Sequence, residues 1–83
     1  MTNIYEITAN SFSENPKTNK TTYLGEITQF VRANNEKQAR EVFSKKWEKG
    51  KPYKNYKKEK FIEKVDLDNL EIQKRNDYKK FLE

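Results

Sequence analysis

The sequence predicts an α+β domain. A small antiparallel sheet of three strands packs on one main helix, in the order β-β-α-β, and a C-terminal helix follows. The strand count becomes four if a segment near residue 70 is extended. Three observations lead there: apolar residues alternate along residues 4–10, a second alternating run begins at Thr21, and that run leads directly into a capped amphipathic helix ending at Gly50. The chain has 83 residues, enough for one domain spanning 1–83 and too few for two.

The first strand places Tyr5, Ile7 and Ala9 on one face and Glu6, Thr8 and Asn10 on the other, with Ile4 the exception to the alternation. Ser13 to Lys20 is polar, holds Pro16 and has no periodicity, so it reads as a loop. Thr21 to Ala33 reads as the second strand. Tyr23, Ile27, Val31 and Ala33 are assigned to one face, and Leu24, Thr28, Phe30 and Arg32 to the other. Gly25 suggests a bulge within it. Closeness in sequence favours a hairpin of these two strands.

The helix carries the clearest local signals. Asn35 is a capping residue, Gln38 stands where it can bond back, and Glu36 suits the positive end of the helix dipole. Ala39, Val42, Phe43, Lys46 and Trp47 fall at i, i+3, i+4, i+7 and i+8, a predominantly apolar stripe. Gly50 permits a left-handed stop, and Pro52 lies just beyond. Residues 51–58 read as irregular. Phe61 to Val65 reads as a third strand with Phe61 and Val65 on one face and Ile62 on the other. Two readings compete for the tail. Asp68 and Glu71 resemble a helix start that would gather Leu70, Tyr78, Phe81 and Leu82, and this reading is preferred. The other makes Leu70 to Gln73 a fourth strand paired with the third, followed by a short helix.

Composition limits the chemistry. Only 33% of residues are hydrophobic and 37% are charged; Leu, Ile, Val and Phe number 17 of 83, near the boundary of disorder. Aromatic residues at 13% and a net charge of only +5 favour folding. The chain has no Cys and no His, so disulfides, thiolate metal sites and the commonest general base are absent. Two glycines, Gly25 and Gly50, cannot build a phosphate-cradling loop. Asp66 and Asp68 form an Asp-x-Asp pair, but the pattern of a calcium loop is not completed, and a solvated turn is the plainer reading. No enzyme activity and no cofactor are expected. Met1 to Glu6 lacks the basic and apolar regions of a signal peptide, and no apolar run approaches the roughly 20 residues of a membrane span. The expected setting is the cytoplasm of a bacterial or infected host cell, with no membrane partner.

The charge is uneven. Residues 1–33 are neutral, 34–50 carry +2, 51–64 carry +4 and 65–83 carry −1. Of the 18 basic residues, 15 are Lys and only Arg32, Arg40 and Arg75 are Arg, which argues against base-specific readout. Within the basic stretch, Tyr53, Lys54, Tyr56, Lys57, Lys58 and Lys60 interleave rings with cations. That pattern suits single-stranded nucleic acid, where cations follow phosphates and rings stack on bases. It suits equally an acidic protein surface. The plain alternative is that the two tyrosines cover the core's end while the lysines are solvated. Leu24, Phe30 and Arg32, on the sheet face away from the helix, form a second candidate surface. Trp47 reads as core. These features together point to a non-enzymatic binding protein with a protein partner. Its compact Lys- and Asn-rich character resembles phage and mobile-element accessory proteins, including anti-defence inhibitors of nucleic-acid-processing complexes that act by surface occlusion. The alternative is sequence-nonspecific nucleic-acid binding through residues 53–60.

Overall fold

A computed structural model describes residues 2–78. Among these the elements are β1 (Asn3–Glu14), β2 (Thr21–Ala33), α1 (Glu36–Trp47), β3 (Lys51–Lys54), β4 (Lys60–Val65), β5 (Glu71–Lys74) and a 3-10 turn at Asn76–Tyr78. The class is α+β with one antiparallel sheet, as expected, but the sheet has five strands and not three or four. Its order is β2-β1-β4-β3, and β5 pairs with β1 beyond the end of β4.

β1 is the central strand, and its two edges are used differently. Along one edge it pairs with β2 over its whole length, from Asn3↔Ala33 to Glu14↔Thr21. Along the other, Ser11–Glu14 pair with β4 and Tyr5–Thr8 pair with β5. β4 and β5 therefore act as one strand interrupted by a loop. Ser11↔Val65 and Thr8↔Glu71 leave two β1 residues facing five residues, 66–70, on the interrupted side. Asp66 closes this loop: its carboxylate accepts from the Asp68 N–H at 3.0 Å and from the Asn69 side-chain amide at 2.8 Å. The Asn69 amide bond, followed by the Asp68 N–H, holds the Asp66 carboxyl below the usual aspartate value.

The buried face of β1 carries Tyr5, Ile7 and Ala9, which pack with Val31, Ala33, Ala39, Phe43 and Trp47. Ile27, Val65, Leu67, Leu70 and Ile72 lie against this cluster. α1 begins where its cap predicts: the Asn35 side chain accepts from Gln38 N–H at 2.8 Å, and Gln38 Oε1 accepts from Asn34 N–H at 2.6 Å. Ala39, Phe43 and Trp47 are buried, one residue per turn, while Val42 is 44% exposed. The helix seam is thus narrower than the five-residue stripe expected, because α1 lies along the sheet on a single i, i+4, i+8 line. The Trp47 indole N–H donates to Gln29 Oε1 at 3.2 Å, satisfying its polar edge at the margin of the core. Gly50 takes φ 68°, and a Cβ there would meet Ile62 Cγ2 at 2.6 Å and the Glu63 carbonyl at 2.8 Å. The residue therefore stops the helix and also lets the chain press against β4.

Four expectations are corrected. β1 does not end near Asn10; it continues to Glu14, and only 15–20 form a turn. Ser13 reads as a loop residue in sequence and Ser11 belongs to no assigned element, but both are buried strand residues, with Ser11 donating to Glu63 at 2.9 Å and Ser13 bonded to the Tyr53 hydroxyl at 2.6 Å. Residues 51–54 are strand and not irregular; Pro52 is accommodated because β3 is an edge. The tail is extended and not helical over 71–74, and it pairs with β1 and not with the third strand. Ile72 faces Ile7 across this pairing and lies against the core cluster. Phe81 and Leu82 lie outside the described residues. Finally, the bulge does occur between Ser11 and Phe12 on β1, where Leu24 is the extra residue of β2. It shifts the face of what precedes it. Tyr23 sits opposite Phe12, ring centroids 5.5 Å apart, and its hydroxyl donates to Asn10, so Tyr23 belongs to the far face and not with Ile27.

The molecule is elongated. Its extents are 45 × 24 × 18 Å and its radius of gyration is 14.7 Å, against about 12 Å for a compact chain of this length. α1 packs chiefly on β2, β1 and β5. The β1–β2 and β3–β4 hairpins extend beyond that packing as an arm.

Candidate functional site

Both hairpin tips lie at the same end of the arm. β1 runs toward it and β4 runs away from it, so the 15–20 turn and the 55–59 turn are neighbours. Asn15 and Lys17 from one tip, with Lys58, Glu59 and Lys60 from the other, line a cleft of about 350 Å³. Each tip is built by an asparagine. Asn15 N–H donates to the Lys20 carbonyl at 2.9 Å, its own side chain accepts from Lys17 N–H at 2.9 Å, and Asn19 adopts φ 59°. Asn55 is more heavily used. Its side-chain oxygen accepts from the N–H groups of Lys57 and Glu59, its amide donates to Glu59 Oε1, and its backbone closes the turn with Lys58 and Glu59. Lys58 adopts φ 62° there. Such side chain–backbone bonds are the usual means by which Asn stabilises a tight turn.

These turns fix where the predicted residues go. Lys54 and Lys60 face each other across β3 and β4, a like-charge cross-strand pair. Tyr56 projects from the tip at 89% exposure, with the Lys57 ammonium 5.6 Å from its ring centroid. Tyr53 behaves differently: it stacks on Phe61 at 5.7 Å and bonds Ser13, and it is 38% exposed. The two tyrosines do not form a common platform. Pro52, Tyr53, Lys54 and Lys60 surround a shallow depression beside the cleft.

The second predicted surface is not continuous. Leu24 lies at the bulge with Tyr23 and Phe12, while Phe30 pairs with Glu6 toward the opposite end of the sheet, about 20 Å away at strand spacing. Arg32 is exposed near that same end, opposite Ile4. Glu6 is held by Arg75 at 3.2 Å, and Arg75 also binds Asp77. That Arg75 bond holds the Asp77 carboxyl below the ordinary aspartate value.

Asn15 and Lys17 are the residues that sequence reasoning missed; Lys20 reads in sequence as a candidate extension of the basic surface whose face is not fixed. Lys17 and Lys20 lie within the neutral residues 1–33, and only the pairing of β1 with β4 brings their turn beside the basic segment. Two asparagine-built turns, each bounded by lysines, were the signal available in sequence. The net charge of the chain gathers at this end. Residues 15–20 and 54–60 hold six lysines and one glutamate, a charge of +5, which equals that of the whole chain. The other 70 residues carry twelve basic and twelve acidic side chains. Among the described residues no group of three metal-capable side chains forms, and no helix is long and apolar enough to cross a membrane. Comparison with known protein families, curated proteins and solved structures finds no match.

Proposed function

We propose that this chain is a non-enzymatic binding protein that docks its basic two-hairpin end on an anionic surface of another macromolecule and occludes it. The observation that carries the reading is the concentration of the entire net charge on two adjacent tips. A neutral body with one charged end presents that end first to an oppositely charged partner and accelerates encounter. The like-charge pair Lys54↔Lys60 supports it as well. Opposed lysines cost stability in a sheet, so their placement serves something other than folding. The class of use that fits is that of phage or mobile-element accessory proteins which inhibit or modulate host nucleic-acid-processing complexes.

The test is affinity capture from a bacterial host with three proteins: wild type, a tip variant with Lys17, Lys20, Lys54, Lys57, Lys58 and Lys60 changed to Ala, and a helix variant with Lys37, Lys45, Lys46 and Lys49 changed to Ala. A stoichiometric partner retained by the helix variant and lost by the tip variant is expected. Retention by the tip variant, or equal loss from both, overturns the reading.

A further inference from the structure

The anionic surface can be narrowed, on the premise that the basic end is the docking site. We infer that its occupant is a single nucleic-acid strand, held by lysines from both tips with Tyr56 as a stacking platform. The lysines of the two tips flank one cleft, Lys17 on one side and Lys58 and Lys60 on the other, so a chain of phosphates laid along it meets cations from two sides. All six cations at this end are Lys and none is Arg. Lysine binds phosphate as a rotatable point charge without a fixed planar fork, which suits tracking a backbone and not reading bases.

Tyr56 adds to the lysines a surface on which a base can stack. Its ring stands 89% exposed beside the Lys57 ammonium, on the turn that also carries Lys58. It is carried on a turn that Asn55 fixes with three side-chain hydrogen bonds. A ring presented on a rigid tip among lysines is the arrangement by which bases are stacked without sequence preference. Tyr53, committed to Phe61 and Ser13, takes no part.

The experiment is fluorescence anisotropy with a labelled single-stranded oligonucleotide of mixed sequence and, in parallel, labelled polyglutamate, at several salt concentrations. With six lysines engaged, oligonucleotide affinity falls roughly 300-fold between about 50 and 200 mM salt, at about 0.7 of a counterion per contact. Lys17→Ala with Lys20→Ala lowers the logarithmic salt slope by about 1.4. Lys45→Ala with Lys46→Ala, which removes equal charge from the helix, leaves the slope unchanged. Tyr56→Ala weakens binding roughly 10-fold without changing the slope, and Tyr56→Phe restores it. Equal slope changes from the tip and helix pairs, or indifference to Tyr56→Ala, overturns the inference. Polyglutamate binding more tightly than the oligonucleotide overturns it in favour of an acidic protein and leaves the docking site standing. Binding of neither probe at low salt overturns both.

Discussion

The two halves of β1 solve the same problem with different chemistry. On one face, the first half presents Tyr5, Ile7 and Ala9 to Phe43, Trp47 and Ala39, and apolar burial holds it. The same face of the second half presents Ser11 and Ser13, which are just as buried but bond to Glu63 and Tyr53. The switch from apolar to hydroxyl side chains marks where the helix-packed body gives way to the arm. A stretch held by a few hydrogen bonds and ring contacts is thin, extended and exposed on its other surfaces. That is a poor place for stability and a good place for a partner. On the proposed reading, the body is the scaffold for that arm.

The division is broken most severely by Phe43→Ala. Phe43 is fully buried at the centre of the body, and its loss is expected to cost about 3–5 kcal/mol, enough to unfold a domain of this size in a denaturant titration. Gly50→Ala should follow at about 1–3 kcal/mol. The new Cβ would meet backbone and side chain of β4 at a left-handed φ, whereas Gly25→Ala meets open space and strains φ alone. A larger loss at Gly25 than at Gly50 would contradict the close packing of the helix stop on β4. Ser13→Ala should cost about 1 kcal/mol by leaving the Tyr53 hydroxyl without its partner. Amide exchange should then rise in the arm and not in α1, because the two halves draw on separate interactions.

Acid sharpens the comparison in a different way. Asp66 and Asp77 both have depressed pKa values, from hydrogen bonds to Asn69 and Arg75 respectively. Their contribution is complete above the ordinary aspartate pKa near 4 and is lost as pH falls through the depressed values. Both groups belong to the segments that tie β5 to the body. Melting temperature measured from pH 6 to pH 2 should therefore fall below about pH 4, and Asp66→Asn should flatten part of that fall.

The helix and the first hairpin were readable because their signals are local. Asn35, the Ala39–Phe43–Trp47 spacing, the Tyr5–Ile7–Ala9 alternation and Gly25 each speak for themselves within a few residues. The misassigned parts were decided at a distance. Ser11 and Ser13 become strand because Glu63 and Tyr53, some 40–52 residues on, supply their partners. Residues 71–74 become strand because β4 leaves half of one β1 edge open. Of the candidate site, the 53–60 lysines were legible as a run of charge. Their union with Lys17 and Lys20 was not, since it depends on β1 and β4 delivering two turns to one end. Val42 and Tyr23 were misplaced for smaller reasons, a helix seam one residue wide and a bulge that reverses faces.

The most direct test of the account is one substitution read two ways. Lys54→Glu places opposite charges across β3 and β4 where two ammonium groups now face each other. Melting temperature and oligonucleotide affinity should be measured on the same preparation. The variant should be as stable as wild type or more so, by about 0.2–1 kcal/mol, and bind at least roughly tenfold more weakly. Unchanged affinity, or an affinity lost only together with stability, would contradict the claim that the arm's basic end is a surface kept for a partner at the expense of the fold.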